Sequence, residues 1–145
     1  MRTLEFTVQI NAPRTQVWEQ LWSDAGYRNW TAAFSEGSYA ETDWKEGSPV
    51  RFLGPDGSGM LSEIVRNQPL ETMIFRHQAE IKAGEVQPRP EWAGGLEAYH
   101  LEDRDGGTFL RVSVDAMDTF CSYLEASFPK ALESLRAASE RPVSA

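Results

Sequence analysis

The sequence predicts an α+β fold: a curved antiparallel sheet of six to seven strands around a long C-terminal helix, with two short helices after the first strand. Three observations carry this expectation. Residues 3–22 open as a strand that runs into a helix, a series of short alternating segments broken by Gly, Asp and Pro turns fills the middle, and one long helical pattern closes the chain. A single curled sheet can bury its apolar face against that last helix, and the space between the two is then a cavity.

Leu4, Phe6, Val8 and Ile10 alternate with Thr3, Glu5, Thr7 and Gln9, the period of two of a half-buried strand. Pro13 suits the first helical position, with Asn11 or Ala12 as cap, and Val17, Trp18, Leu21 and Trp22 make the apolar stripe of a short helix. Ser23-Asp24 restarts a second helix that ends near Trp30, and 31–37 reads as loop. Tyr39–Trp44, Val50–Leu53, Met60–Arg66 and Thr72–Ile81 follow as strands joined by hairpin-sized turns. Gly84–Pro90 is the longest irregular stretch, and its prolines exclude a central strand, so it is expected beside the cavity mouth. Across the turn 103–107, Leu101 must share a face with Leu110 and Tyr99 must lie opposite Val112, which leaves His100 and Arg111 paired on the outer face. The final helix is expected to start at Asp118 as its cap. Phe120, Leu124, Phe128, Ala131 and Leu135 form its buried stripe, Pro129 kinks or breaks it, and 141–145 frays.

The chain of 145 residues reads as one domain, long enough to bury a core without staples. The lone Cys121 fits a reducing compartment, the first ten residues do not read as a signal peptide, and no stretch approaches the ~18 apolar residues of a membrane span, so a cytoplasmic protein is expected. With 22 acidic against 14 basic side chains the net charge is −8, which opposes binding to phosphate backbones and argues against nucleic acid as a partner.

Six motifs in order resemble a known superfamily. They are Ile10-x-Ala12-Pro13-x-x-x-Val17-Trp18-x-x-Leu21 followed by Trp30; Trp44-Lys45-Glu46-Gly47 before the Phe52 strand; Pro69 before Met73-Ile74-Phe75; Asp105-Gly106-Gly107-Thr108-x-Leu110; and Phe128-Pro129-Lys130-Ala131-Leu132. Together they span about residues 3–140 and resemble the START-related, birch-pollen-allergen-like (SRPBCC, helix-grip) superfamily, in particular the branch of the activator of heat-shock-protein-90 ATPase. The resemblance implies the helix-grip fold and a habit of binding. Members include carriers of hydrophobic ligands and aromatic cyclases, and fold alone does not choose among them.

His77 is the side chain best placed for chemistry, because it shares a strand face with Met73, Phe75, Ala79 and Ile81. An imidazole in an apolar cavity orients a ligand or moves a proton; the plain alternative is a buried histidine satisfied by a backbone carbonyl or by Tyr99. Cys121, in the first turn of the final helix, reads as a small packing residue, since nothing in the sequence supplies the base a thiol nucleophile needs. One Cys and two separated His give no metal signature, and no cofactor is implied. Gly54–Gly59 joins two strands and is a turn, not a phosphate cradle.

Trp30, Phe34, Phe52, Phe75, Trp92, Tyr99, Phe120 and Phe128 exceed what one tight core requires. With Leu124 and His77 they make the expected ligand-binding wall, the alternative being simple core filling. The expected function is therefore binding of a largely apolar small molecule between sheet and final helix. Two others stand beside it: an interaction module linked to a chaperone, or a second copy of the chain as partner, and a cyclase- or hydratase-type enzyme using His77.

Overall fold

A computed structural model describes residues 2–88, 90 and 93–141. Strand β1 (Arg2–Ile10) leads into helices α1 (Arg14–Trp22) and α2 (Asp24–Thr31). Six strands follow: β2 (Tyr39–Glu41), β3 (Pro49–Leu53), β4 (Gly59–Gln68), β5 (Thr72–Lys82), β6 (Glu85–Val86) and β7 (Leu96–Arg104). Strand β8 (Gly107–Ala116) and helix α3 (Asp118–Ser139) complete the chain. All strands pair antiparallel in the order β1-β8-β7-β5-β4-β3-β2, with β6 folded back on β5. This is the helix-grip-like α+β architecture that the sequence predicts.

The last hairpin has the expected register: Leu101 pairs with Leu110, Tyr99 with Val112 and His100 with Arg111. Its two-residue turn holds Asp105 at φ 52° and Gly106 at φ 78°, the left-handed pair whose twist matches the flanking strands. The inner face of the sheet carries Ile64, Met73, Phe75, Tyr99, Leu101, Leu110 and Val112, all buried. Helix α3 leans on β1 and on both short helices; Phe128 stacks on Phe6 with ring centres 4.7 Å apart. The space facing the central strands is filled from the side by Trp22, whose ring lies 5.0 Å from Tyr99, 5.4 Å from Trp44 and 5.5 Å from Phe75.

Four local expectations need correction. Pro13 is the N-cap of α1 and not its first helical residue, because ψ 156° keeps it extended. Met117 caps α3, and Asp118 is its first helical residue, where its carboxylate faces the positive end of the helix dipole. Helix α3 runs from 118 to 139 through Pro129, so of the expected kink or break the break does not occur; packing against β1, α1 and α2 holds the helix together. The stretch after Gly84 is not irregular throughout: Ala83 and Gly84 take positive φ and fold β6 back onto β5.

Phe120 is also misplaced by the sequence pattern. The buried positions of α3 are Cys121, Phe128, Ala131, Leu132, Leu135 and Ser139, with Leu124 half-buried. Phe120 precedes the first of these by one residue, about 100° around the helix, and is 55% exposed. Trp92 and the end of the tail, 142–145, lie outside the described residues. Among the described residues no helix is long and apolar enough to cross a membrane, and no cluster of His, Cys, Asp or Glu is arranged to hold a metal ion.

Candidate functional site

Alternation along β5 turns Met73, Phe75, His77, Ala79 and Ile81 to the inner face, as expected. The partner of His77 is set by an irregularity. Leu61 of β4 pairs with Ala79, but the next residue, Ser62, pairs with His77, so Gln78 is a bulged extra residue on β5. Without that bulge Ser62 would face Gln78; bulges of this kind re-aim side chains. Ser62 Oγ lies 2.7 Å from His77 Nδ1.

On the other side of the ring, His77 Nε2 lies 3.1 Å from Glu97 Oε1, and the Tyr99 hydroxyl donates to Glu97 Oε2. Glu97 reaches this position because it shares the inner face of β7 with Tyr99 and Leu101 and pairs with Phe75. The partners assign the protons: Nε2–H donates to the carboxylate, and in the neutral ring Nδ1 accepts from Ser62. The result is a continuous polar chain, Ser62–His77–Glu97–Tyr99, set in an aromatic interior.

Its electrostatics follow from burial and from these bonds. Burial pushes the Glu97 carboxyl up, but the hydrogen bond and charge of His77, together with the Tyr99 hydroxyl, outweigh it and hold the group below its ordinary value. Burial, and then the Glu97 charge, pushes both Tyr99 and Tyr27 well above the usual phenol range, so both stay protonated donors. Ser62 is fully buried and can only orient the ring, whereas the Glu97 side chain retains 22% of its exposure and is the member a ligand can meet. An open groove of about 320 Å³ between β5 and the turn at Ala93–Gly94 includes His77 in its wall.

The structure brings most of the expected wall together. Trp30, Phe75, Tyr99 and Phe128 are buried in one cluster, and Phe34, Phe52 and Leu124 pack half-buried against it. Phe52 meets Phe75 edge-on at 5.0 Å, Phe34 meets Phe128 at 4.8 Å, and Trp30 anchors itself by donating Nε1–H to the Leu21 carbonyl at 3.1 Å. Phe120 stands outside this cluster. Cys121 packs against Leu4 and Ala116.

Sequence reasoning missed Glu97, Ser62, Trp22 and Trp44. Glu97 was detectable, since it has the same strand parity as Tyr99. Ser62 was not, because only the bulge aligns it with His77.

No protein-family model matches the chain, and no curated protein matches it by sequence. Solved structures do. Protein MLL2253 from Mesorhizobium loti superposes with a TM-score of 0.78 at 16% identity, covering 99% of this chain and 100% of its own. The Aha1 dimer from Colwellia psychrerythraea gives 0.71 at 20% identity over 97% of each chain. CalU16 from Micromonospora echinospora gives 0.70 at 14% identity, over 96% of this chain and 76% of its own. At these identities the likeness is one of fold, and the fold the chain shares with them is the curved sheet closed on its last helix.

Proposed function

We propose that this chain binds a small, largely apolar molecule between the inner face of the sheet and the N-terminal half of α3, with Glu97 and His77 as its polar anchor. One observation carries the reading: a buried polar chain passes through a carboxylate, Glu97, that keeps part of its exposure among largely aromatic neighbours. Ligand sites are apolar pockets with a few convergent polar groups, and this network supplies such groups in an apolar interior.

The two halves of α3 support the same placement. Phe128 to Leu135 is sealed against the core, while Phe120 and Tyr123, 55% and 40% exposed, leave aromatic surface uncovered at the other end. The ligand this suits has a flat apolar body and one hydroxyl or amine donor aimed at Glu97. Trp22 adds a second handle, since its Nε1–H is buried beside Tyr99 without a partner among the described residues.

The test is direct. The purified protein is analysed by native mass spectrometry for a co-purifying molecule, and titrated with phenyl-naphthylamine, an apolar probe with a single N–H, using fluorescence. Saturable binding that weakens about tenfold in Glu97→Gln, and comparably in His77→Phe, supports the reading; each removes a hydrogen bond of about 1–3 kcal/mol. The absence of both a co-purifying molecule and saturable probe binding would overturn it. An occupant that is converted, with turnover lost and binding kept in His77→Phe, identifies an acid–base enzyme instead.

A second reading is favoured by the likeness to the Aha1 dimer over nearly the whole of both chains. In it the chain is an interaction module linked to a chaperone or to a second copy of itself. Sedimentation equilibrium that stays monomeric at every concentration, with no capture of a heat-shock-protein-90 chaperone, removes it.

A further inference from the structure

The outer face of the sheet carries a second site that the interior does not use. A groove of about 430 Å³ runs over β5, β7 and β8, lined by Thr72, His100, Arg104, Phe109 and Arg111 together with Gln68. His100 stands at its centre, paired across the strands with Arg111 on one side and with Thr72 on the other. Thr72 Oγ1 lies 3.4 Å from His100 Nδ1.

The groove is balanced in charge, with Arg104 and Arg111 against Glu71 and Glu102, where the chain as a whole is acidic. The chain has a net charge of −8, yet Arg66 and Arg111 flank His100 and neither has a carboxylate within ion-pairing distance among the described residues. Arg66 instead donates to the Gln68 side-chain oxygen at 2.6 Å. Arg104 lies flat on the Phe109 ring at 3.8 Å, with Glu102 beside it, and so forms a wall at the far end. Two acidic groups also line the groove and are held by neighbours in its wall: Glu71 accepts from Gln68, and Glu102 pairs with Arg104. An unneutralised guanidinium presents a planar fork that matches an oxyanion in two-point geometry.

We propose that this groove binds the oxyanion group, phosphate or carboxylate, of a small molecule, with Arg111 as its principal ligand and His100 and Thr72 completing the donor set. The field at His100 is cationic: partial burial and then the charges of Arg111 and Arg66 hold the imidazole below its ordinary value, and a bound anion would act in the opposite direction. The site is independent of the interior, because it lies on the opposite face of the same strands.

The experiment is an NMR titration of the whole chain with inorganic phosphate and, separately, with citrate, each against sodium chloride at equal ionic strength. His100 and His77 ring signals serve as reporters for the two faces. The expected result is a saturable shift of His100 but not of His77, together with a rise in the His100 titration midpoint in the presence of the anion. Preference for phosphate or for citrate decides between the two sources of oxyanion. Arg111→Gln, an exposed substitution that leaves the core untouched, should weaken the effect about tenfold, as loss of one charge-assisted bond does. A His100 shift that is linear and equal in chloride, or one unchanged in Arg111→Gln, overturns the proposal. Folding of the variant is checked by its unshifted His77 signals.

Discussion

His77 and His100 occupy neighbouring strands of one sheet and face opposite ways, and the two surroundings differ in every respect that matters to an imidazole. On the inner face His77 is clamped between a hydroxyl and a carboxylate, walled by Phe75 and Tyr99. On the outer face His100 has one weak hydroxyl contact and guanidinium groups on either side. Strand parity alone sorts the two residues, but neighbours from other strands decide what each can do. The inner histidine is pre-oriented and linked to an anion, whereas the outer one is surrounded by cations that lack an anion. The same side chain thus belongs to an acceptor site on one face and to a donor site on the other.

The comparison is broken most severely by emptying the inner face. Phe75→Ala and Phe128→Ala should each destabilise by about 3–5 kcal/mol in chemical denaturation, because both rings are fully enclosed by other rings. Phe109→Ala on the outer face should cost about 1 kcal/mol or less, since Arg104 covers only one side of it. Equal losses at the three positions would mean that the two faces are not what alternation makes them.

Packing between the short helices should give the next largest effect. A Cβ on Gly26 would stand 2.2 Å from the Gln20 carbonyl oxygen, so α1 and α2 approach each other only because that position is bare. Gly26→Ala should lose about 1–3 kcal/mol despite its better helix propensity, measured by urea unfolding. A gain in stability would refute the close approach.

Glu97→Gln sharpens the comparison through pH. The native carboxyl is held below its ordinary 4.5, so the stability it contributes is present above that pH and is lost as pH falls through the lower native value. The variant should be less stable than the parent by about 1–3 kcal/mol at neutral pH, and the difference should shrink on acidification. A gap that stays constant from neutral to acid pH would show that the carboxylate charge is not what holds His77.

The smallest effect is expected at His100. Its native imidazole is held below 6.5, so the unfolded chain binds the proton more readily, and stability falls as pH drops below that value. His100→Gln should remove this acid-side loss while leaving stability above pH 6.5 within about 0.5 kcal/mol of the parent, as for surface substitutions in general. A large loss at neutral pH would place His100 in the core and contradict its outer position.

Much of the fold was legible because its rules are local. Period-two alternation in residues 3–10 and 72–82 assigns faces without knowledge of any partner strand, and Asp105-Gly106 sets the hairpin register that puts Leu101 opposite Leu110. The candidate site was half legible for the same reason. His77, Phe75 and Tyr99 follow from parity, and so would Glu97, had a charged residue been accepted on an inner face. The helix was less readable: a stripe drawn at spacings of three and four fits two registers one residue apart, and Phe120 was placed in the wrong one.

What the sequence by itself determined is the order of elements, the face on which each strand residue lies, and the aromatic character of the interior, since these depend on residue type and spacing along one segment. Only the tertiary structure decided that Ser62 meets His77, that Glu97 closes the chain from the neighbouring strand, and that the charge of Arg66 adds to that of Arg111 at His100. The two contacts with His77 join residues 15 and 20 positions apart, Ser62 and Glu97, and depend on strand pairing and on a one-residue bulge. No local periodicity encodes them, because a slip of one residue leaves every segment pattern intact while exchanging the faces and partners.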